Sequence, residues 1–189
     1  VKDGAGTLTL GRNSLNAAAT FINEGTLTLS AGNNTLLVAQ TSTTPTVYDL
    51  VVNAGSVDLN GNSQAVARVT NTTGGLFAAN AGIVTNSSAD AATLSLVNPA
   101  TFFSGQITGN LSLDKAGANA FTLHSPSTYT GTTVVRGGTM QLQDAATLTG
   151  GGAVSVNYGT LAMNNTGLAH VVARTGTSAV SLNGGTLSY

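Results

Sequence analysis

The chain of 189 residues has the length of a single domain, and only 7 % of it is charged, against about 25 % in an ordinary soluble domain. Six scattered basic residues (Lys2, Arg12, Arg68, Lys115, Arg136, Arg174) under a net charge of −1 supply no phosphate-tracking surface, which excludes nucleic acid as a partner. A hydrophobic fraction of 41 % is too apolar for an unfolded chain, no run reaches the roughly 18 apolar residues of a membrane helix, and the absence of cysteine excludes disulfides and thiolate metal sites.

In chain order the elements are copies of one motif: glycine, any residue, apolar, any residue, apolar. It runs Gly6-Thr7-Leu8-Thr9-Leu10, Gly25-Thr26-Leu27-Thr28-Leu29, Gly55-Ser56-Val57-Asp58-Leu59 and Gly74-Gly75-Leu76-Phe77-Ala78. It continues as Ala92-Thr93-Leu94-Ser95-Leu96, Gly109-Asn110-Leu111-Ser112-Leu113, Gly138-Thr139-Met140-Gln141-Leu142, Gly159-Thr160-Leu161-Ala162-Met163 and Gly185-Thr186-Leu187-Ser188-Tyr189. The mean spacing of about 22 residues lies in the range of stacked repeats, and the alternation has the period of a strand.

The predicted fold is therefore all-β: a right-handed parallel β-helix, or β-solenoid, of about nine rungs and, at about 4.8 Å per strand, roughly 40 Å of rod. Leu8, Leu10, Leu27, Leu29, Leu94, Leu96, Leu111 and Leu113 face inward; Thr7, Thr9, Thr26, Thr28, Asp58, Asn110 and Gln141 face outward. Each anchor glycine marks a corner, where positive φ is tolerated. Pro45, Pro99 and Pro126 fall in the longer inserts, outside the anchor strands. Asn13, Asn33 and Asn62 are candidates for stacked amides at corners. With no leader pattern at Val1 and a stop inside the repeat pattern at Tyr189, residues 1–189 read as one β-helix segment of a longer chain.

The stretch Ser127-Thr128-Tyr129-Thr130-Gly131-Thr132-Thr133-Val134-Val135-Arg136-Gly137-Gly138-Thr139-Met140-Gln141-Leu142 resembles the passenger-associated repeat of bacterial autotransporters, the type V secretion proteins. The matching lead-in is Leu113-Asp114-Lys115-Ala116-Gly117-Ala118-Asn119-Ala120-Phe121-Thr122-Leu123, and Lys2-Asp3-Gly4-Ala5-Gly6-Thr7-Leu8-Thr9-Leu10 is similar to it. One full repeat spans about 111–142 and a degenerate one about 1–30. The chain departs from the pattern in having only Gly131 after the Tyr-Thr pair and Arg136-Gly137 in place of the commoner Asn-Ala. The resemblance implies a secreted β-helical passenger on the bacterial cell surface, exported through the outer membrane ahead of a C-terminal β-barrel.

Chemistry is sparse. His124 and His170 have no acid or second histidine at metal spacing in the sequence, and both read as loop or surface residues. His124-Ser125 with Asp114 lacks a nucleophile elbow, and Ser112-Leu113-Asp114-Lys115 matches Ser-x-x-Lys but lies in a strand rather than opening a helix. The acids Asp3, Glu24, Asp49, Asp58, Asp90, Asp114 and Asp144 are mostly isolated, Asp49 and Asp58 being the closest pair. The sequons at Asn33, Asn71, Asn86, Asn110 and Asn164 are expected by chance in so Asn-, Ser- and Thr-rich a chain. Tyr48, Tyr129 and Tyr158 read as scattered outward aromatics and Tyr189 as inward. No catalytic, cofactor or metal residue is assigned.

The function expected is that of a structural and adhesive surface stalk without catalysis, touching host matrix, glycans or sister molecules through inserts near residues 30–54 and 114–137. The alternatives are a β-helix carbohydrate-active enzyme, which requires clustered carboxylates, and an ice-binding solenoid, whose Thr7/Thr9 and Thr26/Thr28 pairs are broken at Ser56/Asp58, Thr139/Gln141 and Thr160/Ala162.

Overall fold

The computed structural model describes residues 1–14, 18–36, 47–72, 81–167 and 169–189. Every strand pairing among them is parallel, and the strands stack into three faces of a parallel β-helix. In chain order the first coil contains β1 (Thr7–Leu10) and β2 (Thr20–Ile22), the second β3 (Thr26–Leu29) and β4 (Leu50–Val52). The third holds β5 (Ser56–Asp58), β6 (Gln64–Val66) and β7 (Val69–Thr70), the fourth β8 (Ile83–Asn86), β9 (Ala92–Leu96) and β10 (Thr101–Phe103), and the fifth β11 (Gln106–Gly109), β12 (Leu111–Lys115) and β13 (Ala120–Leu123). The sixth carries β14 (Thr133–Val135) and β15 (Thr139–Leu142), the seventh β16 (Val154–Val156) and β17 (Thr160–Met163), and the eighth β18 (Val180–Leu182) and β19 (Thr186–Ser188).

Face one stacks β1, β3, β5, β8 and β11. It continues without regular strands through Thr128 N–H to Ile107 O (2.9 Å), Ser127 N–H to Thr147 O (2.8 Å) and Leu148 N–H to Arg174 O (2.6 Å). Face two stacks β6, β9, β12, β14, β16 and β18. Face three stacks β2, β4 and β7, then β10, β13, β15, β17 and β19. At its join the ladder gives way to side chains, with Thr70 and Thr101 hydroxyls 3.0 Å apart and Ser104 N–H bonded to Asn71 Oδ1 at 2.9 Å.

Eight coils are thus traced among the described residues, not nine. The anchors at 6, 25 and 55 lead into face one, those at 92 and 109 into face two, and those at 138, 159 and 185 into face three; the anchor at Gly74 lies outside the described residues. A corner followed by a strand has the same sequence signature on every face, so counting anchors samples one corner of three, and not always the same one.

Inward columns run Leu27–Val57–Val84–Ile107 on face one and Phe121–Met140–Leu161 on face three, all buried. Each such side chain contributes roughly 1.5–3 kcal/mol of burial. The predicted inward residues Leu27, Leu29, Leu94, Leu96, Leu111 and Leu113 are in this core, whereas Leu8 is exposed and Leu10 half-buried, because β1 has a strand beside it on one side only. The predicted outward residues Thr7, Thr9, Thr26, Thr28, Asp58, Asn110 and Gln141 all keep solvent contact.

The anchor glycines serve two ends. Gly25, Gly109 and Gly138 have positive φ, as the corner reading expects. Gly55 has no positive φ and is required by space instead: a Cβ there would lie 2.7 Å from Gly25 O in the preceding coil, too close for real atoms. Amide stacking occurs at a corner of face three, where Asn53 Nδ2 donates to Asn23 Oδ1 (2.7 Å) and Asn23 Nδ2 to Asp3 Oδ1 (2.8 Å). Asn33 and Asn62 bond the backbone of the neighbouring coil rather than each other.

Candidate functional site

The repeat residues lie inside the rod. Lys115, at the inward end of β12, has no exposed surface, and its ammonium donates to Gly117 O (2.9 Å), Asn119 O (2.5 Å) and Gly137 O (2.5 Å). Three carbonyls satisfy its three protons, two from the corner that follows it and one from the next coil. Burial without a carboxylate lowers its pKa below the ordinary lysine value. Lys2 repeats the arrangement, donating to Asp3 O (3.1 Å), Gly4 O (2.5 Å) and Glu24 O (3.1 Å). Tyr129, expected outward, is buried, and its hydroxyl bonds the equally buried Thr133 Oγ1 at 2.6 Å; burial pushes the phenol pKa up. Gly131 lets the chain pass against Leu111 O, where a side chain would collide. The Tyr-Thr-Gly-Thr-Thr signature therefore packs a coil.

His124 departs from its surface reading. Register between β13 and β15 pairs Leu123 with Leu142, so the residues beyond them meet, and His124 Nδ1 donates to Asp144 Oδ2 at 2.6 Å with both side chains buried. Phe102 meets the imidazole edge-on at 5.6 Å. Among the described residues no hydroxyl bonds the other ring nitrogen. Asp114 pairs with Arg136 at the surface rather than with His124, Nε to both carboxylate oxygens at 2.9 and 2.8 Å. Ser112 takes Thr132 N–H on the outside of β12 while Lys115 points inside, so the Ser-x-x-Lys residues do not meet. His170 is exposed.

Asp49 binds Arg68 (2.8 Å) beside face three, and Asp58 takes Ser87 N–H and hydroxyl on face one. No group of three or more His, Asp or Glu side chains among the described residues is placed to hold a metal. The outward column Thr9–Thr28–Asp58–Thr85–Thr108 is interrupted by Asp58, and its companion column changes from Thr7, Thr26 and Ser56 to Ile83 and Gln106, so no continuous hydroxyl lattice covers face one.

Of the two inserts expected to bind, that near 30–54 lies partly outside the described residues, and 114–137 is no insert at all: it contains β13, β14 and the buried Tyr129. The better candidate is the stretch between β17 and the eighth coil, of which the structure describes residues 164–167 and 169–173. It folds around Arg174, which is 1 % exposed although it opens the eighth coil. Its guanidinium donates from Nη1 to Asp144 O (3.0 Å) and Ala146 O (2.8 Å), from Nη2 to Asn164 O (2.9 Å) and Asn165 Oδ1 (2.8 Å), and from Nε to Asn165 Oδ1 (3.1 Å). Burial lowers its pKa, and the nearby Asp144 charge opposes that shift.

This segment forms one wall of an open cleft of about 560 Å³ over face three, lined by Gln141, Ala162, Met163, Asn164, Asn165, Thr166, Ser188 and Tyr189. Gln141, Ala162 and Ser188 are register partners on β15, β17 and β19 and make its floor. Tyr189, expected inward, is 90 % exposed at its rim. The spacing of anchors carried no sign of this segment, because an irregular insert leaves the flanking strands in register.

The family model of the passenger-associated-transport-repeat matches residues 1–29 and 113–142, the two stretches that contain the buried lysines. No curated protein and no solved structure matches the chain. The chain carries two passenger-associated transport repeats and is consistent with an autotransporter passenger domain, a class of sequence that implies secretion to the cell surface.

Proposed function

We propose that this repeat-bearing chain is a structural and adhesive segment of an autotransporter passenger, a non-catalytic rod that holds binding surfaces away from the cell and whose full-length protein ends in an outer-membrane β-barrel. The observation that carries this reading is the use of the repeat signature itself: Lys115, Tyr129 and Thr133 are buried in the interior of the rod, where Lys115 joins one coil to the next and Tyr129 bonds Thr133 within a coil. Host matrix, glycans and sister copies are the proposed partners, and nucleic acid is not among them, given a net charge of −1.

The test is display of the full-length protein on bacterial cells, with and without the segment 164–173, scored for adhesion to matrix and glycan surfaces and for autoaggregation. Adhesion that requires the passenger supports the reading. Cells that neither adhere nor aggregate reduce it to a spacer, and sugar release or β-elimination by the purified chain overturns it in favour of an enzyme.

A further inference from the structure

We propose that the cleft over β15, β17 and β19 is a binding site for an uncharged oligosaccharide, a proposal that names a ligand class for the adhesive reading above and rests on it only for its biological sense. The lining holds no side chain that is charged at neutral pH. An anionic ligand would call for Arg or Lys and a cation for carboxylates, and no side chain of the lining is of either kind. It offers amides and hydroxyls, which donate and accept as sugar hydroxyls do, beside Met163 and the face of Tyr189, on which the C–H side of a sugar ring can lie. Its volume of about 560 Å³ falls within the roughly 300–1,000 Å³ of ligand clefts.

The wall is preorganised from beneath. The buried Arg174 fork holds Asn165 Oδ1 through Nε and Nη2, so the carbonyl side of that amide is engaged and its Nδ2 is left to donate. Asn164 is held the same way by a different donor pair, its Oδ1 accepting Thr166 N–H (2.8 Å) and hydroxyl (2.6 Å). Neither Nδ2 has a hydrogen-bond partner among the described residues, and both side chains line the cleft. On the floor, Gln141 Nε2 is bonded to Gln143 Oε1 at 2.7 Å, which leaves Oε1 of this lining residue as an acceptor. Between Gln141 and Ser188 the small Ala162 keeps the trough open. Two fixed donors, one fixed acceptor and an apolar strip in an open groove without charged side chains are a carbohydrate-recognition chemistry, with part of the entropy of ordering the amides already met by Arg174, Thr166 and Gln143.

The experiment uses the 189-residue chain on an array carrying neutral, sialylated and sulfated glycans, followed by calorimetric titration with the neutral oligosaccharide bound most strongly. Ala162→Trp fills the floor without removing a hydrogen bond, and Ala65→Trp, on the outer side of face two, is its control; circular dichroism and thermal melts establish that both fold. Neutral glycans are expected to bind, A162W to lower the affinity about tenfold or more, and A65W to leave it unchanged. Absence of neutral binding, binding of charged glycans alone, or equal binding by A162W overturns the proposal. Adhesion of cells that display A162W at the wild-type level would remove the cleft as the adhesive site while leaving the adhesive reading intact.

Discussion

The two copies of the repeat solve one structural problem at different corners. Lys2 forms a parallel bridge with Ile22 on face three, and its corner leads into β1 on face one; Lys115 lies opposite Val135 on face two, and its corner leads into β13 on face three. The details otherwise coincide. Gly4 and Gly117 both have positive φ (78° and 74°), as do Gly25 and Gly138 (67° and 57°), and in each copy the ammonium reaches a carbonyl of its own corner and one of the next coil. The repeat therefore specifies a latched corner and is indifferent to which face it serves. Its spacing along the chain need not match a whole number of coils.

The copies differ in cover and in hydrogen-bond length. Lys115 is fully buried, while Lys2 retains slight exposure and two of its three bonds are 3.1 Å. Lys115→Met should have the largest effect, since it takes the ammonium away from three converging carbonyls, of which Asn119 O keeps only a long bond from Thr139 N–H (3.4 Å), and is expected to lower stability by about 3 kcal/mol in urea unfolding. Gly138→Ala comes next at about 2 kcal/mol, because φ of 57° strains any Cβ, and that Cβ would lie 2.5 Å from Lys115 Nζ. Lys2→Met should cost about 1 kcal/mol; a loss as large as that of K115M would erase the distinction between the copies.

Tyr129→Phe tests a component that the first copy lacks, since Asn16 stands at the corresponding place in the sequence. Loss of its bond to Thr133 should lower stability by about 1 kcal/mol at neutral pH. The sign reverses in alkali: the folded phenol titrates above its ordinary value of 10.0, so its contribution is complete below that pH and is lost as pH rises beyond it. The Y129F stability profile should accordingly fall less steeply above pH 10.0 than that of the parent. The smallest effect belongs to Arg136→Ala, whose pairing with Asp114 lies at the surface and is worth about 0.5 kcal/mol or less.

Much of this was legible in advance. Period-2 alternation identified the strands and most of the core, and both repeats stand where their motifs placed them. Lys115 is the instructive miss: it continues the inward series Leu111, Leu113 by one more step, but a charge suggests solvent, and only the converging carbonyls explain its burial. Tyr129 was misread for a similar reason, since it lies outside any strand, with no strand periodicity to place it, and its partner Thr133 is four residues on at the start of β14. His124 and Asp144 meet because one coil there takes about 20 residues, a length that varies between coils and cannot be inferred from either residue. The cleft was hidden more deeply, since Arg174 builds it from the following coil.

The central claim, that the repeat lysine latches consecutive coils, is tested most directly by amide hydrogen exchange in the parent chain and in K115M. The latch predicts that protection falls together in β12, β13 and β14, the strands that flank Gly117 and lead into Gly137, while face one of the early coils, β3, β5 and β8, keeps most of its protection. Protection in β12 to β14 that is unchanged in a folded K115M protein would contradict it.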